Sequence, residues 1–378
     1  MRFCDLAGPL DLEVPFAGSS LPFPLAIFQL ISIVRDLLAL VYGPLCPPSQ
    51  GSVHLAVHPR CGRFGGGVAD VNAGIEPGKY QTIVAFGDSF TDGGKHDGSP
   101  LLPATLAPGE LFAGGRSADG KVWVENLADS EQIGSGTEVN VMDYAISSAV
   151  TNLSLWPSNP RPVDFIQQVS TFLSQSNDLD PATTLYTVFF GINDWEDSRI
   201  DGNNLPQAAH SLVSQIRLLA SPPTNARDFL VTDVYGRGRK DKWGEEWVKE
   251  VYARLGELAG YKRSPSDDFD TAFDSLNSTT SLVSDSRSQT IRQAPSSLIP
   301  QLNIAFTSFA PIWAGVLGPD PGYRAFGYTS TRECVGDGAR ICDDPGGAFY
   351  WFAGHPSKQT HRIMANYVLE VLEDCRTR

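Results

Sequence analysis

From residue 80 onward, short apolar runs alternate with amphipathic stretches. "TIVAF" (82–86), "TLYTVFF" (184–190), "DFLVTDVY" (228–235) and "LNIAFTSF" (302–309) are apolar almost continuously, not at every second position. Strands covered on both faces read this way, as a parallel sheet lying between helices requires. Between these runs, "AAHSLVSQIRLLA" (208–220) and "KWGEEWVKEVYARLGELAG" (242–260) space their apolar residues at the helical period. Strand and helix in alternation predict an α/β fold. A last helix is predicted after Ser357, its N-cap, with Ile363, Met364, Tyr367, Val368, Val371 and Leu372 on one face.

The alternation lapses in two places. Residues 264–298 are rich in Ser, Asp and Thr without apolar periodicity, and read as a surface insertion. Residues 1–79 read as an N-terminal extension, with the folded domain over 80–378. Within the extension, "LPFPLAIFQLISIVRDLLALVYG" (21–43) is strongly apolar, yet Arg35 and Asp36 interrupt it and Pro22 and Pro24 crowd its start. No stable membrane span is expected from it. Two readings stay open: an atypical secretion signal or anchor, and a structural extension or wrongly delimited start. The stretch that follows (46–74), punctuated by Pro and Gly, reads as linker.

Composition narrows the class of partner. A chain of 378 residues, 42% of them hydrophobic, can bury one large core or two modest ones. Its net charge of −14 repels phosphate backbones, so nucleic acid is not an expected partner. None of the six cysteines forms a CxxC pair, whereas Cys334 and Cys342 bracket a short Gly- and Asp-rich loop that a disulfide would close. That pair, with acceptor sequons at Asn152 and Asn277, points to an oxidising, secreted or extracellular setting.

Candidate chemistry begins at Ser89, directly after the first predicted strand, where α/β sheets bind ligands at the carboxyl ends of their strands. Alone, Gly-Asp-Ser is also how a strand-end turn with a serine N-cap reads. A serine nucleophile needs a base, and His355 stands in the loop before the last helix. The other five histidines (His54, His58, His96, His210, His361) read as solvated surface residues. Asn193, in "FFGINDWED" (189–197), places an amide donor after a buried strand, and "DYAISSAV" (143–150) supplies a tight turn of small residues. Acyl transfer needs such donors for its oxyanion, although Asn193 equally suits a turn.

With "VAFGDSFTDGG", "ADGKVWVENLA" (118–128), "DYAISSAV", "FFGINDWED" and "YWFAGHPSKQTHRIMANYV" in order over about residues 80–374, the chain resembles the SGNH (GDSL) hydrolases. More narrowly it is similar to their fungal acetylesterase-like branch, carbohydrate esterase family 16. The resemblance implies a flavodoxin-like three-layer α/β/α sandwich with a mostly parallel sheet, and ester hydrolysis without metal or organic cofactor. It implies Ser89 as nucleophile and N–H donor, Asn193 as oxyanion amide and His355 as base, acting on small acyl groups, acetyl foremost, of carbohydrate or similar alcohols.

Two positions depart from the family pattern. Ser148 stands where the family's second block carries a glycine oxyanion donor, and its N–H survives that change only if φ permits. Phe352 stands where the catalytic Asp would lie, three residues before the histidine. The expectation is that the Phe352 carbonyl, or else Asp343 or Asp344, accepts the second ring N–H of His355. Asp88 is expected to brace the serine turn, and Trp195 to be a core aromatic or a pocket wall. Two rival readings follow: a catalytically silent binding protein of the same fold, and a lipase for longer acyl chains.

Overall fold

Each of the four apolar runs from residue 82 on forms a strand, with flanking residues in the adjoining turns. The structure, a computed structural model, describes residues 52–136, 138–261 and 301–377. In chain order the elements are β1 (Val71–Ala73), β2 (Thr82–Gly87), α1 (Trp123–Ala128), β3 (Asn140–Asp143), α2 (Phe165–Ser174), β4 (Thr184–Phe189), α3 (Ile192–Asp201) and α4 (Leu205–Ala220). They continue with β5 (Asp228–Asp233), α5 (Lys242–Leu258), β6 (Asn303–Ser308), α6 (Ala310–Leu317), β7 (Ser330–Glu333), β8 (Ala348–Tyr350) and α7 (Lys358–Asp374).

Among the described residues, six strands form one sheet in the order β1-β6-β5-β4-β2-β3, parallel throughout except for β1, which runs antiparallel to β6 at the edge. Without β1, the order is the doubly wound 2-1-3-4-5 of flavodoxin-like sheets, whose switch point lies where the chain passes from one side of the first strand to the other. Here that strand is β2, with β3 on one side and β4 on the other. A separate pair, β7 and β8, precedes α7.

Alternate residues of the strands feed two cores. Val84, Phe86, Tyr186 and Phe229 pack with α2, α4 and α5, while Ile83, Ala85, Leu185 and Leu230 pack with α1, α6 and α7. Both faces are thus covered, giving the three-layer sandwich. α7 is amphipathic as read: Ser357 caps it by accepting from the Thr360 N–H, and Ile363, Met364, Tyr367, Val368, Val371 and Leu372 are buried.

The linker reading of residues 46–74, and with it the boundary at 80, is corrected from residue 53 on. Val53–Arg378 is one compact unit. Phe64, Val71 and Ile75 are core residues, and Cys61 is bonded to Cys375 just past α7. The buried Asp70 carboxylate accepts from the Tyr367 hydroxyl at 2.8 Å and the Ser308 N–H at 2.9 Å. Gly and Pro there shape a tightly folded entry into the sheet. The expected Cys334–Cys342 disulfide is present. No described helix is long and apolar enough to cross a membrane. The apolar stretch 21–43, the expected insertion at 264–298 and Asn277 lie outside the described residues.

Candidate active site

The turn after β2 is held by its own backbone and by one carboxylate. The Asp88 carbonyl accepts from the N–H groups of Thr91 (3.0 Å) and Asp92 (2.9 Å), and its side chain accepts from the Phe90 N–H at 3.0 Å. The bracing expected of Asp88 is therefore present. Gly87 admits no side chain, since a Cβ would stand 2.8 Å from the Thr91 hydroxyl and 3.0 Å from the Phe189 carbonyl. Phe90 is fully buried, which turns the half-buried Ser89 outward between two anchored neighbours.

His355 reaches this serine from 266 residues away: its Nε2 lies 3.0 Å from Ser89 Oγ. Its Nδ1 lies 3.2 Å from the Ala353 carbonyl. A carbonyl can only accept, so Nδ1 carries the proton and Nε2 presents a lone pair to the serine hydroxyl. Burial pulls the imidazole below its ordinary value of 6.5; the Ala353 carbonyl opposes this and the nearby Arg237 cation reinforces it.

The expected orienting group is corrected in identity. The Phe352 carbonyl accepts the backbone N–H of His355 at 2.9 Å, and the ring N–H falls to Ala353, one residue on. Asp344 accepts from the Thr329 hydroxyl at 2.7 Å, and among the described residues neither it nor Asp343 bonds His355. The Phe352 ring packs on Phe112, centroids 4.8 Å apart, and forms an aromatic ledge edge-on to the imidazole.

The expected oxyanion donors lie on segments bonded to the serine turn, the Ser148 loop through Ser147 to Asp92 and Asn193 through Asp88. Among the described residues, the N–H groups of Ser89 and Ser148 donate to nothing. Ser148 has φ +73°, the left-handed region, which explains why a glycine suits this position and locates local strain at a non-glycine residue. Asn193 Nδ2 donates to the Ala149 carbonyl at 2.9 Å and more weakly to Asp88 at 3.3 Å. Both amide hydrogens are thus engaged, so polarising a substrate oxygen requires giving up the longer contact.

Two carboxylates that sequence reading passed over hold this corner together. Asp194 accepts from the Thr151 hydroxyl (2.6 Å), the Thr151 N–H (3.0 Å) and the Trp156 indole (2.7 Å), tying the Ser148 loop to α3. Burial raises its pKa to about 6 despite those bonds. Asp92 accepts from the Ser147 N–H at 2.8 Å and hydroxyl at 2.7 Å, tying the same loop to the serine turn. His361 is a correction too: it is 1% exposed, accepts from the Trp123 N–H at 3.2 Å, and burial pushes it down to about 3. The other four noncatalytic histidines lie on the surface. Trp195 is a core aromatic, its indole donating to Asp241 at 2.9 Å.

The family model described as GDSL-like Lipase/Acylhydrolase matches residues 83–368, a span running from the first residues of β2 through most of α7. The chain belongs to that family. This GDSL hydrolase is therefore a carboxylic ester hydrolase. Among solved structures it is similar to a member of the lipolytic protein G-D-S-L family from Veillonella parvula DSM 2008, at 16% identity and TM-score 0.37, over 77% of this chain and 98% of that one. It is similar also to an active-site mutant of a family two carbohydrate esterase from Clostridium thermocellum, at 14% identity and TM-score 0.37, over 79% of this chain and 65% of that one. No curated protein sequence matches the hydrolase significantly.

Proposed function

We propose that the protein is a serine esterase that removes small acyl groups, acetyl foremost, from carbohydrate or similar alcohols through an acyl-enzyme. The observation that carries it is the 3.0 Å contact between Ser89 Oγ and the lone-pair nitrogen of His355. Ser89 attacks the acyl carbonyl while its proton passes to His355 Nε2. The oxyanion is held by the N–H groups of Ser89 and Ser148 and by Asn193, each worth on the order of 3 kcal/mol. The alcohol leaves with the proton from Nε2, and water activated by the same nitrogen releases the acid. The narrower likeness to the fungal acetylesterase-like branch supports acetyl as the acyl group. The disulfides Cys61–Cys375 and Cys334–Cys342 support an oxidising, secreted setting.

A second reading, a silent binding protein, draws on the absence of a carboxylate at His355 and on the commitment of Asn193 to Asp88. One experiment separates the two: fluorophosphonate labelling of the purified protein by intact mass, beside Ser89→Ala and His355→Ala. The esterase reading expects stoichiometric labelling lost in both variants; folded wild type that stays unlabelled would sink it. A lipase would instead gain about 0.8 kcal/mol for each added methylene in a p-nitrophenyl ester series.

A further inference from the structure

The loop after β5 places a cation against the segment that bears the base. Arg237 has φ +49°, a left-handed conformation uncommon for a residue with a side chain. Its guanidinium stands where Gly354 leaves room: a Cβ there would lie 3.3 Å from both Cζ and Nη1 and 3.4 Å from Nε. Gly354 is itself at φ +73° and immediately precedes His355. Arg237 Nη2 donates to Glu196 at 2.7 Å, but Glu196 also faces Arg199 at 3.5 Å, so two cations share one carboxylate. Among the described residues, Nε and Nη1 of Arg237 meet no acceptor. The side chain is 26% exposed.

A cation beside a general base opposes the imidazolium that must form during acyl transfer. A bridge to Glu196 alone gives no reason to keep it there. Asp88 offers little compensation, since burial raises its carboxyl to about 7. The arrangement becomes favourable when the substrate brings a negative charge that pairs with the fork of Nε and Nη1 and removes the opposition.

We propose that Arg237 is a specificity-determining residue that recognises a carboxylate on the ester substrate. The proposal rests on the esterase reading and names its substrate class: esters whose acyl or alcohol part bears a carboxylate.

The test compares kcat/KM for two matched pairs, in wild type, Arg237→Gly and Arg237→Lys. p-Nitrophenyl hemisuccinate against p-nitrophenyl butyrate puts the charge on the acyl side. Para-acetoxybenzoate against para-acetoxybenzamide puts it on the alcohol side. Glycine suits φ +49°, and melting curves check that each variant is folded. For at least one pair, the anionic-to-neutral ratio in wild type should exceed that in Arg237→Gly about tenfold or more, and the pair affected tells which side of the ester carries the charge. Arg237→Lys should keep part of the preference, and added salt should erode it. Ser89-dependent turnover with ratios equal in wild type and Arg237→Gly for both pairs would overturn the inference and leave the esterase reading standing. Folded wild type that neither turns over any of the four esters nor reacts with fluorophosphonate would remove both.

Discussion

His355 Nδ1 faces the carbonyl oxygen of Ala353 at 3.2 Å, where a serine hydrolase triad would place a carboxylate. A carbonyl fixes the tautomer but brings no full charge to the imidazolium. Asp343→Asn and Asp344→Asn should therefore change turnover on p-nitrophenyl acetate less than about threefold, because neither contacts the ring. A loss of several orders of magnitude in either variant would mean that the loop swings a carboxylate onto His355 during the reaction.

The acid limb of kcat/KM should lie below the ordinary imidazole value of 6.5. Burial, the largest cause, and Arg237 both disfavour the protonated ring, so His355 stays a competent base into mildly acidic solution. A pH profile shows this directly, and Arg237→Gly should move the limb upward. A wild-type limb above 6.5 would contradict the environment described for the ring.

Ser148→Gly should stabilise the protein by about 1 kcal/mol, since it relieves a left-handed backbone and keeps the N–H. Thermal denaturation measures it, with fluorophosphonate labelling alongside. A destabilised or unlabelled variant would show that the serine side chain has a task of its own.

How much of this was legible follows from burial. β2, β4, β5 and β6 have both faces covered, so each carries adjacent apolar residues that do not alternate with polar ones, such as Ile83–Phe86, Val188–Phe189, Phe229–Val231 and Ile304–Phe306, and each run announces itself. β3 sits at the edge with mixed exposure, and β1 is three residues long among glycines, so neither leaves a periodic trace. The pairing of Ser89 with His355 was legible from position, a serine directly after the first strand and a histidine in the loop before the last helix. Asp92 and Asp194 were not, since nothing local tells an inward carboxylate from a solvated one. His361 did leave a trace: it stands three and seven residues before Met364 and Val368, on the buried stripe of α7. Its polarity hid what its spacing said, and Arg237 gave no signal at all before the fold set it against Gly354.

Stability should rise as pH falls from 8 to about 5. Burial raises Asp88 and Asp233 to about 7 and Asp194 to about 6, so above the ordinary 3.8 their ionisation favours the unfolded chain increasingly up to those values. His361 works oppositely: pushed down to about 3, it loses stability as pH falls below 6.5. Burial lowers His355 as well, but three carboxyls outweigh the two imidazoles until they approach 3.8, after which His361 dominates. Melting temperature against pH tests this, and Asp233→Asn should flatten the alkaline side. A curve that falls steadily from pH 8 to 5 would refute the assignment.

Reducing the Cys61–Cys375 bond should lower stability by about 2–5 kcal/mol, because it ties residues 314 apart. Denaturant melts of Cys61→Ser/Cys375→Ser measure the loss; an unchanged midpoint would mean that β1 stays docked without it.

That bond also has a mechanical side. α7 is a rod of 17 residues, about 25 Å long, that begins three residues beyond His355 and reaches Cys375 at its far end. His355 thus rides at one end of a lever whose other end is riveted to Cys61, in the segment that leads into the sheet's edge strand. The 3.0 Å gap at Ser89 is thereby tied, through one continuous helix, to a covalent bond at the other end of it.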